Sequence, residues 1–514
     1  MKRNTLTAAI LAGVTGVAGM VNVSHAVNLN PDGLGQVLLY PFYTTRGGND
    51  TLISVVNTTT EAKAVKVRFI EALNSREVLD FNLYLSPFDV WTAALTLNEA
   101  TGGGRMVTAD RSCTVPYFVG EGGGVGIQEF LPFQYTGDNF DAGPQTLERT
   151  ASGYIEFIEM GSIPDASVFF DAIKHVNGTP RSGGPFGAPC DVIVGAWLTG
   201  GTWDTNAQAG LADATGGLFG TGSIVNVEDG TLLSYDATAI DAFWAVGQIE
   251  HTNPGFITPN LNSTTNTMSN VFSNGQVVTD TWDLGVQAVN ATITFDQLMN
   301  EYNVNPALAA RSEWVVTFPT KGFHTDLAFG GNYVGLTGDP VPPFTDVWTF
   351  FSDFSLSPAC ESMDIDFWDR EERTQQQGLI VSPPPPVQGF QLCREANVIR
   401  FSSDASLPAS TEILKEPQRS SSALTYTNFG LPSGFNAGWL QFNFGNVPSS
   451  AGGGERFAVS QDGTAYFGLP VIGFWAQRFT NGLLTTDAGD NVLANYAGSY
   501  DHKGSRRITQ LQPQ

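Results

Sequence analysis

Cys113, Cys190, Cys360 and Cys393 are the four cysteines of this chain, and none of them belongs to a CxxC or CxxH pair. Sulfurs scattered so widely do not build a local zinc site, which draws its ligands from closely spaced pairs. An even count suits two disulfides in an oxidising compartment instead. Three pairings are open. The sequential one, Cys113 with Cys190 and Cys360 with Cys393, is preferred because each bond then closes a loop within one structural region. On the chain-entropy account each bond stabilises by roughly 3.5–4.5 kcal/mol.

Between the last two cysteines the chain reads "CESMDIDFWDREERTQQQGLIVSPPPPVQGFQLC". Asp364, Asp366 and Asp369 are candidate calcium ligands. An EF-hand register would need glycine and glutamate where Asp369 and Gln375 stand. Glycosidase carboxylates are defined by separation in space, so no catalytic pair can be assigned here. Pro383 to Pro386 exclude a sheet interior and favour polyproline II. The preferred expectation is a surface excursion stapled by a disulfide, with an irregular calcium site as the alternative, because acidic runs are usually solvated. Two further oxygen-rich loops, "TGDNFDAG" with Asp138 and Asp141 and "TTDAGDN" with Asp487 and Asp490, are candidate calcium sites. Ordinary turn chemistry explains them more simply. No other cofactor is indicated.

Beyond the N-terminal leader, His175, His251, His324 and His502 are the histidines. None lies in HExxH, and no G-x-S-x-G elbow occurs. His324, beside Asp326 in "PTKGFHTD", is the most site-like of them. The glycine runs "TGGGRM" and "GEGGGVG" lack the lysine of a phosphate loop. Trp91, Trp203, Trp282, Trp368 and Trp439 stand near turn residues and could stack on sugar rings, although aromatics of sheet proteins more often fill the core. No catalytic residue is indicated.

The elements that would position these residues are mostly strands. "MKRNTLTAAILAGVTGVAGMVNVSHA" has a basic start, an apolar stretch and a small-x-small end, the pattern of a secretory signal peptide cleaved after Ala26. The chain carries 25 basic and 50 acidic residues, a formal charge of −25, and loses Lys2 and Arg3 on cleavage. That field repels nucleic acid and anionic lipid. Hydrophobic residues make up 42% and charged ones 15%, so the chain is not a disordered acidic polymer. At 514 residues it should form two or three domains.

Val65, Val67 and Phe69 alternate with Lys66 and Arg68, and Leu79, Phe81, Leu83 and Leu85 alternate with Asp80, Asn82 and Tyr84. Period two around a short polar link predicts an antiparallel hairpin. With neighbouring strands it predicts an immunoglobulin-like sandwich over 27–101. A glycine-rich β region follows over 102–285, then a C-terminal β-rich region over 286–514. One helix is expected near "TFDQLMNEYN", where Leu298 and Tyr302 stand four apart. The fold class is therefore mainly β, with few short helices and no transmembrane segment after the leader.

"TLISVVNTTTEAKAVKVRFIEALNSREVLDFNLYLSPFDVW", "EWVVTFPTKGFHTD" and "GLPVIGFWAQRFTNG" resemble a family of exported bacterial proteins described as cell-surface proteins. The resemblance implies an extracellular or envelope setting and carries no catalytic residues. The expected function is a structural or adhesive role at the cell surface or in the extracellular matrix, through glycans or self-association. A glycan-binding or glycan-hydrolysing protein is the alternative, and a deep cleft with an aromatic floor and two carboxylates would favour it.

Overall fold

The computed structural model describes residues 25–119, 124–180, 190–326, 339–350, 356–374, 390–404, 406–420, 423–424, 426–487 and 489–511. Most of the expected leader and the proline run Pro383–Pro386 lie outside the described residues. The chain is mainly β, built from antiparallel sheets with a few short helices.

Alternating residues close a first core between two sheets. The seven-stranded sheet runs in the order Asn28–Leu29, Thr238–Asp241, Val37–Thr44, Ser152–Ile163, Ala62–Glu71, Glu77–Leu85, Cys113–Val115. The six-stranded sheet runs Thr231–Asp236, Leu218–Asn226, Asn49–Asn57, Val90–Asn98, Gly103–Thr108, Gly126–Glu129. Val67 stands opposite Phe81 in the expected hairpin, and both are buried. Phe81 and Phe157 of the first sheet meet Trp91 of the second at 5.7 and 6.0 Å between ring centres.

These sheets hold more strands than an immunoglobulin domain uses. The boundary expected at residue 101 falls in the turn between Val90–Asn98 and Gly103–Thr108, which pair with each other. Ser152–Ile163 then lies between Val37–Thr44 and Ala62–Glu71, so strands from both sides of that boundary share one sheet.

Two five-stranded sheets form the C-terminal part. One runs Phe390–Leu392, Glu361–Asp369, Ala437–Asn443, Gln297–Asn303, Lys503–Ser505. The other runs Tyr426–Gly430, Ala396–Ser402, Ala310–Thr317, Ile472–Thr485, Asn491–Asp501, with a single parallel pairing between its first two strands. Trp314, Phe401 and Phe442 anchor the core between them. Val315, Val398 and Phe474 turn the other way and join the first core, so the two parts are packed together.

Two expectations need correction here. The segment "TFDQLMNEYN" is not helical: Gln297–Asn303 is a strand, and the nearby helix spans Gly285–Ile293. Leu298 and Tyr302 stand opposite Phe442 and Gly438, and a spacing of four satisfies a strand's period of two as well as a helical turn. Nor is the stretch after Cys360 a surface excursion. Glu361–Asp369 is an internal strand, paired on its two sides with Phe390–Leu392 and Ala437–Asn443.

Both cysteine pairs are joined as the sequential pairing anticipates, Cys113 to Cys190 and Cys360 to Cys393. Among the described residues, no helix is long and apolar enough to cross a membrane.

Candidate functional site

Alternation along Glu361–Asp369 sends Met363 and Phe367 into the core and Asp364, Asp366 and Trp368 outward. The neighbouring strand does the same with Trp439, Gln441 and Asn443. Register then aligns the outward side chains in rows across the sheet. Trp368 stands opposite Trp439, which stands opposite Glu301. Asp366, Gln441, Met299 and Lys503 form the next row, and Asp364, Asn443, Gln297 and Ser505 the one after.

The polar rows are knitted together. Asn443 and Gln441 donate to the Asp366 carboxylate at 2.9 and 3.2 Å. Gln297 donates to the Asn443 amide oxygen at 3.0 Å, and Ser505 to the Gln297 amide oxygen at 2.9 Å. The indoles of Trp368 and Trp439 stack at 4.2 Å with 17° between their planes. One face of Trp439 is thereby occupied, yet 39% of the residue remains exposed.

Beside Trp439 the surface drops into a cleft of about 880 Å³ between this sheet, the end of the second five-stranded sheet and the strand Thr231–Asp236. Trp439, Tyr500, Glu301, Asp501, Asp236 and Lys503 line it. Tyr500 is 54% exposed and leans on Trp475 at 4.9 Å. Glu301, Asp236 and Asp501 are all exposed to solvent. The Asn300 amide nitrogen donates to the Tyr500 and Asp501 carbonyls, each at 3.2 Å, which ties the two walls together.

His502 sits behind the cleft and is not a proton donor to it. Its Nε2 donates to the Val315 carbonyl at 2.9 Å, so Nδ1 is left to accept from Asn300 at 3.1 Å. Burial pushes the imidazole down to about 4, which keeps it neutral.

The remaining sequence candidates serve the fold. Trp91, Trp203 and Trp282 are core residues. His324 is wholly buried, in contact with the Asn290 amide at 2.7 Å, and burial lowers its imidazole to about 4. Asp326 turns instead to Arg76, at 2.7 Å. His251 is buried between the Tyr84 hydroxyl at 2.9 Å and the Ala207 carbonyl at 2.6 Å.

The candidate calcium groups do not assemble among the described residues. Asp141 is buried and accepts from Arg149, Arg76 and Asn74 at 2.6, 3.2 and 3.0 Å. Burial alone would raise its carboxyl, but those donors hold it below the usual range. Asp138 belongs to a separate 3-10 turn, Gly137–Asn139. Asp364 and Asp366 face solvent, whereas Asp369 is buried and accepts from Arg373 Nε at 2.6 Å. Asp487 and Asp490 flank an exposed hairpin turn. Among the described residues, no three His, Cys, Asp or Glu side chains converge as a metal site.

Sequence reading missed Glu301, Tyr500, Asp501 and Asp236. Glu301 falls in the segment whose spacing predicts a helix, and the others carry no motif. Period-two exposure marks Glu301 and Asp236 along their strands, whereas Tyr500 and Asp501 are adjacent exposed residues with no such alternation. No protein-family model, no curated protein and no solved structure matches the chain.

Proposed function

We propose that this is an exported cell-surface protein that adheres by binding glycans in the cleft between Trp439 and Tyr500. The observation that carries the reading is a pair of solvent-exposed aromatic residues beside three exposed carboxylates in one concave site. A pyranose ring presents an apolar C–H face and a rim of hydroxyls. The free faces of Trp439 and Tyr500 suit the first. Glu301, Asp236 and Asp501 accept hydrogen bonds from the second, and Lys503 donates. Sugars rich in hydroxyls and without negative charge fit best, because the cleft and the chain as a whole are acidic.

Two disulfides are compatible with export and with life in an oxidising setting. The outward polar sheet beyond Trp368 extends the cleft, so a chain of several sugars would lie across Gln441 and Asn443. The cleft binds the glycan rather than hydrolysing it.

The test is a glycan array probed with the purified, oxidised mature protein, followed by titration of the strongest hit. Trp439→Ala and Tyr500→Ala should each weaken that hit by about tenfold or more, as the loss of a stacking contact requires. Absence of any binding by the wild-type protein, or equal binding by both variants, would overturn the proposal.

A further inference from the structure

Behind the cleft lies a second cavity, of about 680 Å³, whose character is different. Val271, Ile293, Leu298, Val471, Ile472 and Phe474 give it apolar walls. It forms where the end of the helix Gly285–Ile293 meets the start of Ile472–Thr485 and the strand Thr238–Asp241. Protein interiors are packed with few voids larger than a water molecule. A hollow of this size and lining falls within the range of small-molecule sites, about 300–1,000 Å³.

Among the described residues, Arg506 is the one cation that lines this apolar space. Arg506 donates to the main-chain carbonyls of Ala291, Thr292 and Thr294 at 3.2, 2.6 and 2.6 Å, which closes the C-terminal end of the helix. Its guanidinium lies 4.3 Å from the centre of the Phe295 ring. Among the described residues it makes no ion pair with a carboxylate, unlike its neighbour Arg507, which meets Glu455 at 2.8 Å. Burial without an acid to offset it pushes Arg506 down to about 10. A partly buried cation in apolar surroundings gains from an anion brought to it by a ligand.

We propose that this cavity binds an anionic amphiphile, a single fatty acyl chain whose carboxylate pairs with Arg506. The apolar walls take the chain, and the guanidinium, already fixed by the helix end and by Phe295, takes the head. Asp236 and Asp501 line the cavity at the end it shares with the outer cleft, where both are exposed. Their charge disfavours a carboxylate there and so places the head at Arg506. His502, held neutral, adds no competing charge. The site adjoins the glycan cleft through Asp236 and Asp501, but Trp439 and Glu301 do not line it.

The experiment is titration of the mature protein with dodecanoate and, separately, with methyl dodecanoate, followed by calorimetry and by the shift in Tm. Dodecanoate should saturate at one molecule per chain, and the ester should bind about tenfold more weakly, because it forfeits a charge-assisted hydrogen bond. Arg506→Gln should remove that discrimination. Ala239→Phe, which fills the cavity from the strand Thr238–Asp241, should abolish both, and Trp439→Ala should alter neither. Equal affinity for acid and ester, no binding of either, or undiminished binding by Ala239→Phe would each overturn the proposal. If Arg506→Gln fails to fold, the comparison of acid with ester on the wild-type protein still decides it.

Discussion

Asp141 and Asp501 belong to the same strongly acidic chain, yet the first is enclosed by two arginines and the second faces an open cleft. Around Asp141 each acid is paired with an arginine. Arg149 also pairs with Glu71 at 3.1 Å, and Arg76 reaches on to Asp326, tying the first two sheets to the C-terminal part. Arg149 lies 4.2 Å from the Tyr135 ring centre as well. In the cleft beside Asp501, Lys503 is the one cation among the described lining residues, for three carboxylates and two aromatic walls. A buried charge must find its partner within the fold, because water cannot supply one. A solvated charge has no such obligation and remains available to a ligand. The contrast separates acids that hold the molecule together from acids that can act for it.

The largest effect is expected from breaking the buried set. Arg149→Met removes the guanidinium shared by Asp141 and Glu71, leaving Glu71 with main-chain amides alone and Asp141 with Arg76 and Asn74. Urea denaturation should show a loss of about 3–5 kcal/mol. A loss below about 1 kcal/mol would mean that water reaches these groups and that the contrast with the cleft is false.

A pH scan sharpens the comparison further. His251 accepts from the Tyr84 hydroxyl and donates to the Ala207 carbonyl, so a second proton has no place, and burial lowers its pKa to about 4. The unfolded chain takes up that proton near the ordinary value of 6.5. Stability is therefore lost as the pH falls from about 6.5 towards 4, by about 1.4 kcal/mol per pH unit for this residue. Glu313 acts with the opposite sign. It is buried and raised to about 7 despite hydrogen bonds from the Ile413 and Leu414 amides, so its share of stability is lost as the pH rises from 4.5 towards 7. His251→Gln should flatten the acid limb of the stability curve and Glu313→Gln the neutral one. An unchanged acid limb in the first variant would show that His251 titrates normally in the folded state.

Much of the N-terminal fold was legible in alternation. Val67 and Phe81 were placed on the core face, and the register confirms that they stand opposite each other. What alternation could not show was that Lys66 and Arg68, on the other face, are buried too. Residues beyond 250 cover that face, with Lys66 donating to the Pro254 carbonyl at 2.9 Å. A polar position in a strand reads as solvated unless the covering segment is known, and that segment is remote in sequence. The cleft was illegible for the same reason: positions 236, 301, 439 and 500 become neighbours only through strand order. Trp439 was singled out by residue type, and Glu301 was lost because a spacing of four fits a helix and a strand alike.

A smaller effect is expected where an aromatic wall of the cleft is removed. Trp439→Ala gives up the stack on Trp368 and part of a half-exposed surface, so it should lower stability by about 1 kcal/mol while weakening the glycan ligand far more. A stability loss approaching that of Arg149→Met would make Trp439 a structural residue and remove it from the site.

The smallest effect belongs to the acids of the cleft. Glu301→Gln combined with Asp501→Asn takes two negative charges from an exposed, crowded surface and leaves the shape unchanged. Neither carboxylate forms an ion pair among the described residues, so there is little for the fold to lose. The double variant should unfold within about 0.5 kcal/mol of the wild type, and relief of repulsion could place it on the more stable side. Ligand binding should fall nonetheless, because an amide supplies one acceptor where the carboxylate supplied two. Measuring both quantities on the same variant tests the contrast directly. Acids retained for a ligand should lose affinity and keep stability, whereas acids that hold the molecule together should lose stability first. If this pair behaved like Arg149→Met, the distinction between the two regions would collapse and the cleft would be one more part of the scaffold.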